Sequence, residues 1–118
     1  MKGAFYTGKY RNIFKEFGYS EKEIEKKIED AYNTIFYGSD DEWLYHQVGD
    51  DMSYFLDTGN NDVRTEGMSY AMMMCVQRNW RKEFDCLWKW AKKYMWMEEG
   101  ENAGYFAWSV APDGTKNS

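Results

Sequence analysis

The sequence lacks an excess of positive charge and has a single histidine, and each shortage excludes a class of function. Lysine and arginine total 15 against 20 aspartates and glutamates, so a net charge of −5 offers no basic surface to neutralise nucleic-acid phosphates. His46 has neither a second histidine nor a cysteine pair with which to form a zinc site. We therefore expect no nucleic-acid partner, no metal and no cofactor.

Long apolar runs are missing as well. No stretch of about 18 apolar residues occurs, and the first residues do not combine a charged region with an apolar one, so neither membrane insertion nor secretion is indicated. The two cysteines, Cys75 and Cys86, do not form a Cys-x-x-Cys motif, and we expect both to be reduced and buried. These features predict a cytoplasmic protein without a membrane partner.

Aromatic residues, in contrast, are abundant. They make up 19% of the chain and include six tryptophans and ten tyrosines. So many rings line either a core or a binding cleft, and sugars stack on rings of this kind. For most of these residues we favour the core.

A helix after residue 20 is the clearest local prediction. Ser20 and Glu23 form a capping box at its start, and Gly38 ends it. Its apolar residues recur on one face, which we expect to be buried: Ile24, Ile28, Ala31, Ile35 and Phe36. A shorter helix before it, ended by Gly18, places three apolar residues on one face: Ile13, Phe14 and Phe17.

Two further helices are predicted to pair as an antiparallel hairpin, because only a short turn at Asn79 and Trp80 separates them. The first has Thr65 as its N-cap and a wide buried face: Met68, Ala71, Met72, Cys75 and Val76. The second covers residues 81–97, with one apolar face: Phe84, Leu87, Trp88, Ala91, Tyr94 and Met95. Residues 39–61 are interpreted as a link with one short extended piece over 43–48. The predicted fold class is all-α.

A candidate catalytic acid lies where the polar loop before the hairpin meets its first helix. Glu66 follows Thr65 directly, and Gly67 leaves open space beside the carboxyl. Catalytic groups are often found at such junctions of loop and scaffold. The alternative is that Glu66 only complements the positive end of the helix dipole, and the residue pattern alone favours this. The acids of the loop do not have the spacing of an EF-hand.

The run Thr65-Glu66-Gly67-Met68-Ser69-Tyr70-Ala71-Met72 resembles the Thr-Glu-Gly-x-x-Tyr-Gly-Met segment of glycoside hydrolase family 8, which includes chitosanases, endoglucanases and xylanases. Ala71 stands where the family usually has glycine. Four other segments are similar to the family too: residues 3–7, 14–20, 48–52 and 99–108. Together they resemble most the members that release xylose from the reducing end of xylo-oligosaccharides.

The resemblance implies an all-α (α/α)6 barrel of twelve helices in six hairpins. Residues 1–118 would then be a single N-terminal segment of the catalytic domain, an incomplete toroid of helical hairpins. The resemblance also implies an inverting glycosidase in carbohydrate metabolism, with a xylo-oligosaccharide as substrate.

Two site residues match the family. Glu66 matches the general acid, and Trp108 matches a ring that stacks on the sugar. The general base of the family lies beyond Ser118, so we expect this chain to be inactive alone. The alternative function is a non-catalytic helical module that binds sugar or self-associates through exposed apolar helix faces.

Overall fold

The computed structural model describes residues 4–116 and divides into two compact units, Met1–Asn33 and Thr34–Ser118. Gly3, which belongs to one of the family-like segments, and both ends of the predicted segment 1–118 lie outside the described residues. No helix within residues 4–116 is long and apolar enough to cross a bilayer.

Side chains cap the starts of two helices in the first unit. Asn12 accepts a hydrogen bond from the backbone N–H of Lys15 at 3.1 Å. The predicted capping box is confirmed, because Glu23 N–H donates to Ser20 Oγ at 3.2 Å while Ser20 N–H donates to Glu23 Oε2 at 2.8 Å. The helices that begin here are α1 (Ala4–Thr7), α2 (Ile13–Glu16) and α3 (Glu21–Tyr37).

The apolar face predicted for α3 is only partly buried. Ile24 is buried, whereas Ile28 and Ala31 are exposed, as are the apolar residues of the α2 region, Ile13, Phe14 and Phe17. Periodicity identifies an apolar face, but burial also requires a partner. Within this unit, two helices of four residues each cannot cover a helix of 17.

The second unit contains strands, so the all-α class is not confirmed. One of them, Tyr45–Val48, lies within the extended piece predicted over 43–48, and the others were not predicted. A hairpin pairs Tyr45 with Phe55 and Val48 with Met52 around a loop in which Gly49 has a φ of +60°. A second antiparallel pair joins Val63 to Val110 and Arg64 to Ser109, which are 47 and 45 positions apart in the chain. The strands are β1 (Tyr45–Val48), β2 (Met52–Phe55), β3 (Val63–Arg64) and β4 (Ser109–Val110), and the order within each sheet is β1-β2 and β3-β4.

The predicted pair of helices is present as α4 (Thr65–Arg78) and α5 (Arg81–Trp90), which contact each other. The N-cap prediction was wrong by one residue: Arg64 is the N-cap of α4, and no side chain caps the helix. Asn79 ends α4 in the left-handed conformation, with a φ of 56°. Backbone N–H groups at this end donate to the carbonyls of Cys75 and Val76 in the last turn. Met68, Ala71 and Cys75 are buried as predicted, but Val76 is exposed.

The helix predicted over 81–97 ends earlier and changes its winding. After α5 the chain continues as a π-helical segment, Ala91–Met95, which closes with a bond from Trp96 N–H to Ala91 O at 3.0 Å. Within α5, Leu87 and Trp90 are fully buried. Trp88, which was predicted to lie on the buried face, is exposed.

The core of the second unit lies between α4, α5 and the two sheets. Its large, fully buried apolar side chains come from α3, α4, α5, the π-helical segment and the β3–β4 pair: Phe36, Val63, Met68, Leu87, Trp90, Met95 and Val110. The predicted turn over residues 112–115 is present, since Gly114 N–H donates to Ala111 O at 2.8 Å. These elements fix the start of α4, where the candidate site lies.

Candidate active site

The β3–β4 pair brings the two predicted site residues together across 42 positions of sequence. Arg64 pairs with Ser109 in the ladder, and Thr65 N–H donates to the carbonyl of Trp108 at 3.2 Å. Glu66 is the second residue of α4, so its side chain leaves the first helical turn next to this pair. Trp108 directly precedes β4 and projects towards the same point.

A direct contact joins the two side chains. The indole N–H of Trp108 donates to Glu66 Oε1 at 3.0 Å and lies 3.2 Å from Oε2. The hydroxyl of Thr65 donates to Oε2 at 3.2 Å. The carboxylate is exposed, and Trp108 retains 49% of its accessible surface. Both groups are therefore open to a ligand in the described part of the chain.

The surroundings lower the pKa of the Glu66 carboxyl below its usual range. The largest cause is the hydrogen bond from its own backbone N–H, followed by the bond from Trp108, with smaller contributions from Thr65 and the positive charge of Arg64. Desolvation acts in the opposite direction, with an effect smaller than that of Trp108 but larger than those of Thr65 and Arg64. All of these donors favour the ionised form, whereas a general acid must carry a proton when substrate binds.

Behind Trp108 lies an ionic cluster that the sequence analysis missed. The guanidinium carbon of Arg64 is 4.7 Å from the centre of the Trp108 ring. Arg64 Nε is 3.0 Å from Asp62 Oδ1 and 3.2 Å from Asp57 Oδ2. Asp62, only 8% exposed, also accepts a hydrogen bond from the Ser109 hydroxyl at 2.6 Å. One signal was present in the sequence: Asp62 and Arg64 are two residues apart, and in a strand such residues share a face.

The carboxylate of Glu66 borders a groove. Its walls are formed by the end of β2 and the start of α4: Phe55, Leu56, Asp57, Arg64, Glu66 and Gly67. A Cβ added at Gly67 would lie 3.8 Å from the Phe55 ring, which is an ordinary contact. Gly67 thus widens the groove beside the acid without being required by the backbone. Among residues 4–116, no cluster of three or more histidine, cysteine, aspartate or glutamate side chains could hold a metal ion.

Comparison with known proteins identifies the family of the chain. Residues 49–118, more than half of the chain, match the family described as Glycosyl hydrolases family 8. The chain belongs to glycosyl hydrolase family 8. The family-like segment around Glu66 lies inside the matched range, as does Trp108.

Several family 8 relatives are similar to the chain over nearly its whole length. The reducing end xylose-releasing exo-oligoxylanase of Halalkalibacterium halodurans is 58% identical over 99% of this chain and 30% of its own length. That of Paenibacillus barcinonensis is 52% identical over 99% of this chain and 31% of its own length. A solved structure of a glutamate-to-alanine variant of such an enzyme, complexed with xylobiose, superposes with a TM-score of 0.92 at 58% identity, covering 99% of this chain and 31% of that one. The chain thus spans about 30% of the length of the curated relatives it matches.

Proposed function

We propose that this chain is the N-terminal segment of a family 8 catalytic domain that hydrolyses xylo-oligosaccharides and releases xylose from the reducing end. The complete domain would be the (α/α)6 barrel implied by the resemblance. The observation that carries the proposal is the pair formed by Glu66 and Trp108 at the edge of an open groove. The identity of 58% with an exo-oligoxylanase supports the substrate class.

In the proposed reaction Glu66 is the general acid. It gives its proton to the glycosidic oxygen as the bond from that oxygen to the sugar C1 breaks. A water molecule attacks C1 from the opposite face and loses its proton to a carboxylate across the cleft, so the configuration inverts. That carboxylate is not assigned to any residue of this chain. We therefore expect the chain alone to be inactive.

The lowered pKa of Glu66 sets a condition on this proposal. For Glu66 to be protonated at the start of the reaction, other groups must oppose the donors around it. Removing water from the carboxyl raises its pKa, because burial disfavours the charged form. We propose that the remainder of the catalytic domain and the bound sugar supply this desolvation, since in this chain the carboxylate is exposed.

Trp108 has two proposed roles. Its N–H orients the Glu66 carboxyl, and its ring supports a sugar near the cleavage point. One face of the ring is taken by the guanidinium of Arg64. The sugar would therefore stack on the opposite face of the indole, which is consistent with the half-exposed state of the side chain.

The test is xylose release from xylotriose by the full-length protein and its Glu66→Gln variant. Loss of the general acid should lower turnover by roughly 10²- to 10⁴-fold. Glu101→Gln, at an exposed glutamate of the loop before Trp108, is the matched control and should keep full activity. Near-normal turnover in Glu66→Gln would exclude the role. The 118-residue chain should release no xylose, and release that depends on Glu66 would show that the base is supplied within it.

One observation favours a second function for the isolated chain, self-association. Three large apolar side chains project from one face of α4 and are mostly exposed: Tyr70 (68%), Met73 (59%) and Val76 (63%). We propose that two copies bury these faces against each other at high concentration. Sedimentation velocity should then show a dimer that Met73→Glu dissociates. A monomer at all concentrations would reject this candidate.

A further inference from the structure

We propose that Arg64 is a positioning residue, which holds the Trp108 indole in the orientation that lets its N–H meet the Glu66 carboxyl. The inference rests on the proposed function of Glu66. Arg64 stacks on the face of the Trp108 ring, and the N–H at the edge of that ring meets the Glu66 carboxylate, so Arg64 positions the carboxylate through the ring.

The indole needs such a support. Its hydrogen bond to Glu66 lies at an exposed position, where water competes for both the donor and the acceptor. The ring is half exposed, so on that side it has no wall to limit rotation. The guanidinium of Arg64, 4.7 Å from the ring centre, forms a wall on one face.

The guanidinium itself is fixed. Its Nε lies between the carboxylates of Asp62 and Asp57, at 3.0 and 3.2 Å. Asp62 is held by the Ser109 hydroxyl at 2.6 Å, and the Asp57 carboxylate accepts the backbone N–H of Gly59 at 2.9 Å. A side chain of β4 therefore holds Asp62, and a backbone N–H of the loop after β2 holds Asp57. Asp62 therefore orients the guanidinium of Arg64, and this guanidinium in turn orients the Trp108 ring.

The arrangement requires the shape of arginine as well as its charge. A planar guanidinium can stack on an indole while its edge donates to one carboxylate, here that of Asp62, and forms an ion pair with a second, here that of Asp57. The ammonium of a lysine is a point charge on a flexible stem and cannot do both. Arg64→Lys therefore removes the wall while the positive charge near Glu66 remains, which separates positioning from electrostatics.

The test is a double-mutant cycle in the full-length enzyme with Arg64→Lys, Trp108→Phe and the double variant. Phenylalanine keeps a ring but has no N–H. Each single change should lower kcat/KM on xylotriose by roughly ten- to a hundredfold, as expected for a displaced catalytic group. The double variant should be no worse than Trp108→Phe, because Arg64→Lys keeps the positive charge and so acts only through the indole.

The pH profile provides a readout that a merely structural role would not change. The bond from Trp108 lowers the pKa of Glu66. If Arg64→Lys releases the indole, the pKa of Glu66 rises and the alkaline limb of the kcat/KM profile should move to higher pH, even though lysine retains the positive charge. Trp108→Phe should move the limb in the same direction. Full activity and an unmoved limb in Arg64→Lys, or additive losses in the double variant, would overturn the proposal.

Failure of the proposed function can be recognised separately. Glu66→Gln in the same assay would keep its turnover if Glu66 were not the acid. The contact between Arg64 and Trp108 is measured independently by a thermal-unfolding cycle of the same variants. Coupling in unfolding together with additive kinetics would overturn the positioning role, since the contact would then be structural only.

Discussion

Removal of the Ser109 hydroxyl tests whether the buried carboxylate of Asp62 is the anchor of the site. Ser109 Oγ donates to Asp62 Oδ2 at 2.6 Å, and both residues are nearly inaccessible to water. The Ser109→Ala substitution would remove this hydrogen-bond donor from the buried Asp62 carboxylate. Water cannot easily replace that donor, because Asp62 is only 8% exposed. The remaining partner of the carboxylate is the guanidinium of Arg64.

The expected cost follows from the type of bond. A hydrogen bond to a charged group is worth roughly 1.5–3 kcal/mol, and we expect the free energy of unfolding to fall by about 2 kcal/mol. Ser69→Ala is the matched control, since the exposed Ser69 hydroxyl donates to the backbone carbonyl of Glu66 at 2.8 Å. Surface changes of this kind alter stability by no more than about 0.5 kcal/mol.

Urea unfolding followed by tryptophan fluorescence reports on the relevant unit. All six tryptophans lie at position 43 or later, so the signal arises from the unit Thr34–Ser118. Ser109→Ala should lower the midpoint with an unchanged slope. A loss equal to that of Ser69→Ala would refute the reasoning, because the 2.6 Å bond would then contribute no more than a solvated one.

Two further predictions concern the same unit. Gly114 has a φ of +93°, and a Cβ there would lie 2.4 Å from the ring of Tyr94, whereas Gly100, with a φ of +86°, has open space. Gly114→Ala should therefore destabilise the protein by at least 1 kcal/mol more than Gly100→Ala, which costs about 1–2 kcal/mol of backbone strain; equal melting temperatures would contradict this. Burial raises the pKa of Tyr45 from its usual 10 to about 12. The stability that neutral Tyr45 contributes is full below pH 10 and falls by about 1.4 kcal/mol per pH unit from pH 10 to 12, and Tyr45→Phe should remove this part of the alkaline loss in unfolding curves.

The elements that the sequence predicted well are those that local interactions determine. The capping box at Ser20 and Glu23 and the turn around Asn79 each depend on residues a few positions apart. The β3–β4 pair was missed because each strand has only two residues and the paired residues are 45 or 47 positions apart. No periodicity can be read from two residues. The π-helical segment was also missed, because a search for the 3.6-residue period assumes the same number of residues in every turn.

The candidate site was also predicted only in part. Glu66 and Trp108 were identified from family-like segments, and the structure brings them into contact. Resemblance of short segments does not show what lies behind a matched residue. The roles of Asp62 and Ser109 depend on the β3–β4 ladder, so the cluster could not be found before that pairing was known.

The donors around Glu66 have two opposite consequences for a general acid. They lower its pKa, which makes protonation before the reaction harder. They also stabilise the carboxylate that remains once the proton has been transferred, and a group whose anion is stabilised is a stronger proton donor. If desolvation by the complete domain restores the proton at rest, the bond from Trp108 gains strength as negative charge develops on Glu66. On this argument the indole contributes most in the transition state, and Trp108→Phe should lower kcat more than it raises KM. A change confined to KM would instead assign Trp108 to sugar binding alone.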